Sequence, residues 1–367
     1  MTSFFFTFFI LVVLLLNLSG CKNHSTNSQN SPAPVPPKPD QSTTYSFDAQ
    51  SLSIEGRYLT NTDHSITLAS AASNVSFMAP GSKLEFLASA EFERAFIDIL
   101  VDGQLIQKAY VLDHKTNTVS INLGESAKNT HLVEIYNRGE GDSFATRLIS
   151  LETEQTLIPI TKPNRKLMFI GASVTCGTLS EPADNCALGP ASHNGRVAHG
   201  TLIAHALNAE SQLVCRSGRG ILNGSVASIP QDAVHFLDYI LTTANGPVYW
   251  DHRLFTPDGI LIALGNNDDL SNGERFISAY NTLLYKLRSL YPEALIILTE
   301  GPLISGERKN QLTAYLTSIV SASNDAKLSY IPSKKYPNSP CNDHPDAKTH
   351  QAIAEELLPQ IKEKLKW

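Results

Sequence analysis

In Phe169-Ile170-Gly171-Ala172-Ser173-Val174-Thr175-Cys176-Gly177 a serine stands among small residues just after the apolar run 167–170. Glycines there let the chain turn sharply and expose a side chain. A serine hydroxyl is a poor nucleophile until a base within hydrogen-bond reach takes its proton, so the chemistry to look for is acyl transfer. His344, in Cys341-Asn342-Asp343-His344-Pro345, is the histidine in a Pro-flanked loop close to a helix start. Two more stretches offer donors. In Cys215-Arg216-Ser217-Gly218-Arg219-Gly220 the glycines leave backbone N–H groups approachable, and in Leu264-Gly265-Asn266-Asn267-Asp268 an asparagine amide can donate. Singly, each has a plainer reading: a loop without the full dinucleotide spacing, a helix cap, a surface histidine. Together they form the order Ser, Gly, Asn, His across successive segment ends.

Those segments need a scaffold. After residue 160 short apolar runs (167–170, 212–215, 259–264, 294–299) alternate with amphipathic stretches (197–207, 274–290, 309–321, 348–364), the last interrupted by Pro359. Strand then helix in succession predicts an α/β fold with a mainly parallel sheet covered on both faces. In such sheets ligands sit beyond the carboxyl ends of the strands, where Ser173 lies. From 45 to about 154 the texture differs, with short runs such as 83–87, 95–101 and 131–136 that often alternate apolar with polar. Asp102-Gly103 between two of them is a tight-hairpin signal. This predicts an antiparallel β-sandwich.

The front of the chain is of another kind. An apolar run from Phe4 to Leu16 precedes Leu18-Ser19-Gly20-Cys21, and from Lys22 to about Thr44 the chain is mostly Ser, Asn, Gln and Pro. The run is too short for a comfortable membrane span and reads as an export signal, and the polar stretch reads as a disordered tether. The expected division is therefore 1–20 signal peptide, 21–44 tether, 45–157 sandwich and 163–367 α/β domain. Composition adds little: 367 residues, 42% hydrophobic and 17% charged, with a net charge of −6 that supplies no basic footprint for nucleic acid. Export allows disulfides among Cys176, Cys186, Cys215 and Cys341, with three possible connectivities. The short loop Cys176–Cys186, beside Ser173, is the pairing expected. The histidines around His193, His199 and His205 lack metal-ligand spacing, no His-Glu-x-x-His occurs, and no metal or cofactor is expected.

The four blocks resemble those of the SGNH (GDSL-like) hydrolases, and the domain order resembles carbohydrate esterase family 2, an N-terminal jelly-roll domain followed by a flavodoxin-like SGNH domain. The resemblance covers about Tyr45 to Trp367. It implies Ser173 as nucleophile, His344 as base, and Gly220 N–H and Asn267 as oxyanion donors beside the N–H of Ser173. It implies a serine esterase that removes acetyl groups from carbohydrate. Residues 18–21 resemble the lipobox of bacterial lipoproteins, which implies acylation of Cys21, a membrane-anchored protein and a cell-envelope location. Two positions depart from the family pattern: Ala172 and Asn342 stand where Asp is usual. With Asp343 next to His344 and directed away in an extended segment, a Ser173–His344 dyad is expected, its imidazole N–H accepted by a backbone carbonyl or by Asn342. Trp250, with Tyr249, offers a sugar-stacking platform. The rival readings are a lipase or aryl-esterase of the same superfamily and a non-catalytic carbohydrate-binding lipoprotein.

Overall fold

The computed structural model describes residues 42–124, 130–222, 232–243 and 246–367. The expected signal peptide, Cys21 and all but the last residues of the tether lie outside them.

Alternation of apolar and polar residues between 43 and 153 yields two facing antiparallel sheets. One runs Tyr58–Thr60, Ile66–Leu68, Thr146–Thr153, Lys83–Ala90, Asn117–Asn122, with Thr43–Ser46 also on Thr146–Thr153. The other runs Ser53–Glu55, Asn74–Pro80, Thr130–Asn137, Arg94–Val101, Gln104–Asp113. Their inner faces bury Ile66, Phe77, Phe86, Ile99, Val133, Ile135 and Leu148 in one cluster. Each such side chain contributes about 1.5–3 kcal/mol when fully removed from water. The Asp102-Gly103 turn joins two of the strands with both residues at positive φ, 51° and 75°, which matches the twist of a two-residue hairpin.

In the second half, among the described residues, five strands pair in parallel in the order Ala209–Cys215, Arg165–Gly171, Gly259–Ala263, Leu295–Thr299, Leu328–Tyr330. By chain order this is 2-1-3-4-5, the flavodoxin-like winding, whose switch point lies between the first and third strands. Alternate residues of each strand face opposite ways. Met168, Ile170, Ile260 and Ile262 pack under Phe276, Tyr280, Leu283 and Leu287 of helix Gly273–Leu290. Leu167, Phe169 and Leu261 pack under Ile203 of helix His199–Ala206 and Ile353, Leu357 and Ile361 of helix Ala347–Leu365. Both faces are thus covered, as the near-continuous apolar strands require.

Some details differ from the sequence reading. Helix Ala347–Leu365 runs through Pro359, because Leu357 and Ile361 on either side are clamped to the sheet and outweigh one lost backbone bond. The three-residue strand Leu328–Tyr330 and the hairpin Tyr239–Thr243/Gly246–Tyr249 carry too short a pattern to be seen. The cysteines pair as Cys176–Cys215 and Cys186–Cys341, not Cys176–Cys186. Parallel pairing sets Gly171 opposite Cys215, which brings Cys176 to a Cα distance of 5.6 Å from it. Proximity in the chain was the weaker guide.

Candidate active site

Ser173 opens a single helical turn, Ser173–Cys176, at the carboxyl end of the Arg165–Gly171 strand. The turn closes at Gly177, in the left-handed region at φ 70°, where an added Cβ would lie 2.3 Å from the carbonyl oxygen of Asn194. No other residue combines that backbone with that approach. The N–H of Thr178 then donates to the carbonyl of Ser173 at 3.0 Å. The hydroxyl so presented is 2.8 Å from Nε2 of His344, a residue 171 positions away.

His344 sits in a tight loop before helix Ala347–Leu365. Its carbonyl accepts from Ser339 N–H at 2.7 Å, and its own N–H donates to Asn342 Oδ1 at 2.7 Å. Asn342 Nδ2 reaches across to the Leu179 carbonyl at 3.3 Å, and Ala347 N–H donates to Ser180 O at 2.8 Å. The Cys186–Cys341 bridge fastens the same loop to the segment after the serine turn. Two expectations change here. Asp343 does not point away: its Oδ1 is 2.7 Å from Nδ1 of His344, because the segment is a turn and not an extended strand. Asn342 holds the backbone of His344, not its imidazole. The carboxylate is 81% exposed, so this is a Ser–His–Asp chain with a solvent-washed third member.

The other candidates flank the switch point. Asn267 follows the Gly259–Ala263 strand, and its Nδ2 donates to the Arg219 carbonyl at 2.9 Å, tying the third strand end to the loop after the second. Gly220 is pressed on Asp268, whose Oδ1 lies 2.3 Å from where a Cβ would stand. Asp268 accepts the N–H of Leu222 at 2.7 Å, and burial raises its carboxyl above the ordinary range. Trp250 is no stacking platform. It is 5% exposed, with the Arg57 guanidinium 5.5 Å from its ring centroid and Tyr58 at its edge, inside the contact between sandwich and α/β domain.

A solvent-open cleft of about 360 Å³ adjoins Ser173, walled by Ala172, Ala263, Asn266, Pro302, Leu303 and, deeper, His199 and Glu300. Glu300 went unmarked in the sequence, and His199 stood out there only as lacking metal-ligand spacing. Burial would raise Glu300, but Thr313, Tyr330 and Ser333 all donate to its carboxylate and hold it below the usual range. His199 is stacked on His350, centroids 5.6 Å apart, and burial pushes it down to about 4. His350 is lowered by the same cause, and its Nδ1 accepts the N–H of His199 at 3.2 Å, capping helix His199–Ala206. Both are neutral imidazoles with structural duties. Among the described residues no group of three or more His, Cys, Asp or Glu side chains is arranged to hold a metal ion.

Known proteins resemble this chain in sequence and fold. Residues 54–163 match the family model described as carbohydrate esterase 2 N-terminal. The chain is 29% identical over 330 residues to an acetylxylan esterase/glucomannan deacetylase of Cellvibrio japonicus, covering 86% of this chain and 89% of the relative. Among solved structures it superposes on a family two carbohydrate esterase from Cellvibrio japonicus with a TM-score of 0.82 at 28% identity, over 89% of this chain and 99% of that one. A family two carbohydrate esterase from Clostridium thermocellum, solved in complex with cellohexaose, shares the fold at a TM-score of 0.79 and 24% identity, over 86% and 99%.

Proposed function

We infer from its place in carbohydrate esterase family 2, within the SGNH hydrolases, that this chain is a carboxylic ester hydrolase that removes O-acetyl groups from carbohydrate. The observation that supports the reading most is the 2.8 Å contact of Ser173 Oγ with His344 Nε2 at the end of a buried strand. Ser173 Oγ attacks the acetyl carbonyl carbon while His344 Nε2 takes the hydroxyl proton. The carbonyl oxygen of the tetrahedral intermediate carries the charge, facing the N–H groups of Ser173 and Gly220 and the amide of Asn267. That amide carries two hydrogens, and the bond to Arg219 occupies one. Collapse breaks the bond to the sugar oxygen, which leaves with the proton held by His344. Water, deprotonated by the same imidazole, then cleaves the acetyl-serine and regenerates the hydroxyl.

The cleft walls Ala172, Ala263, Pro302 and Leu303 suit a short acyl group beside Ser173. A series of 4-nitrophenyl esters tests this: turnover is best for acetate and falls steeply by butyrate. Rates that climb with chain length would favour the lipase or aryl-esterase reading, and no turnover of any ester the binding-protein reading.

The substrate we propose is an acetylated oligo- or polysaccharide, met from a cell envelope to which the protein is tethered through acylated Cys21. The motif 18–21 after an apolar run supports the anchor. Cys21→Ala should release the exported protein from the membrane fraction, since the lipid has no thiol to join. A variant that still sediments with membranes would instead point to an uncleaved N-terminal anchor.

A further inference from the structure

Resting on the acyl-enzyme reading above, we propose that Glu140, a residue of the sandwich, is a positioning residue for the oxyanion side of the site. The sandwich is then a working part of the catalytic apparatus. Glu140 follows the strand Thr130–Asn137, and its carboxylate leaves the sandwich to meet the α/β domain. Oε2 accepts the backbone N–H of Ser217 at 2.9 Å, and Oε1 accepts the Ser217 hydroxyl. The Thr178 hydroxyl donates to the same Oε1 at 3.3 Å and lies 2.8 Å from Ser217 Oγ.

These two partners are not arbitrary. Thr178 follows the serine turn, its N–H on the Ser173 carbonyl, and Ser217 begins the loop that ends in Gly220. One carboxylate, with acceptor sites only, therefore fixes the spacing between the nucleophile turn and the donor loop. The residues beside it repeat the arrangement. Asp142 forms an ion pair with Arg216, whose N–H donates to the Gly171 carbonyl at 3.3 Å, and Asp142 Oδ1 also accepts Thr242 N–H at 2.7 Å. Between them Gly141 is seated so closely that a Cβ would fall 2.0 Å from the Ala69 carbonyl oxygen. Two residues earlier, fully buried Arg138 pairs with Asp98 of its own domain at 2.5 Å and with Glu181 of the α/β domain at 2.7 Å. The 138–142 segment is thus held by its own domain while it holds the other. Oxyanion donors act through preorganisation, and a misplacement of about 1 Å can cost on the order of 10²-fold in rate.

The test uses the full chain with 4-nitrophenyl acetate and thermal unfolding. Glu140→Ala should lose roughly 10–100-fold in kcat, with KM within about twofold of wild type, a loss no larger than that of one donor removed outright. Inactivation by a fluorophosphonate, which puts a charged oxygen in the same place, should slow in parallel. Glu140→Gln, whose amide oxygen still accepts from Ser217, should recover most of kcat. Ser217→Ala should cost less than Glu140→Ala, and adding it to Glu140→Ala should cost little more. Phe77→Leu, in the sandwich core, is the control: it lowers the thermal midpoint and leaves kcat alone. If Glu140→Ala does not fold, Glu140→Asp, which withdraws the carboxylate by one methylene, carries the same expectation. The proposal is overturned if kcat of the Glu140 variant stays within about threefold of wild type, or if Phe77→Leu loses as much kcat for the same fall in midpoint. Wild-type protein inert toward every ester would defeat the acyl-enzyme reading itself, and is told apart because that arm needs no variant.

Discussion

At the scale of single residues, the third member of the catalytic chain is the most informative. Asp343 reaches Nδ1 of His344 from the neighbouring position in a turn, and its side chain is 81% exposed. Water and salt screen such a contact, whereas a buried acid in a serine triad costs about 10⁴ in kcat when converted to the amide. Asp343→Asn should therefore lower kcat only about tenfold, with circular dichroism unchanged. A thousandfold loss would show that the carboxylate works as a desolvated triad acid, and no loss would show the contact idle. Ser173 and His344 could be singled out in the sequence because small residues or proline bound them and a strand or helix adjoins them. The orientation of Asp343 could not, since it depends on the turn closed by Ser339 and His344, which no periodicity announces. Trp250 misled for a related reason: two adjacent aromatics before a strand offer a stacking surface until the interface over Trp250 is known.

At the scale of elements, the 2-1-3-4-5 strand order explains why the reactive groups converge. Ser173 and Asn267 leave adjacent strands at the switch point, and the loop with Gly220 leaves the strand on the other side of Arg165–Gly171. The long helices and apolar strands were legible from their period, but which strands are neighbours was not, and the disulfide expectation failed with it. The two bridges close loops of 39 and 155 residues, each lowering the freedom of the unfolded chain by roughly 3–5 kcal/mol in chain-entropy terms. Helix starts carry a pH signature as well. His199 and His350 stay neutral in the fold, while in the unfolded chain each takes up a proton near the ordinary value of about 6.5. Below that pH the unfolded state binds more protons, so stability falls as pH drops from about 6.5 towards the value of about 4 at which His199 titrates in the fold. Above 6.5 the pair contributes no slope. His350→Gln, which keeps an acceptor for the His199 N–H, should show a shallower fall in thermal midpoint between these limits. An unchanged slope would mean that other groups carry it.

At the scale of the whole molecule, the described residues fold as one compact unit, although the sequence reads as two domains of different texture. Texture reports which faces of an element are buried, not what buries them. Arg57 donates from the sandwich to the Tyr239 carbonyl at 2.7 Å, and Arg196 meets Asp98 at 2.9 Å in the reverse sense. Neither contact leaves a trace in local composition. The unit so built presents a small-walled cleft beside Ser173, where carbohydrate deacetylation would take place. The direct measurement is acetate released from an acetylated xylan oligosaccharide by wild type and Ser173→Ala at equal folded concentration. Wild type should turn over many times while Ser173→Ala, with its thermal midpoint nearly unchanged, releases less than roughly a thousandth as much per unit time. A Ser173→Ala protein that kept more than a few per cent of the wild-type rate (roughly, against the losses known for triad serines) would contradict it.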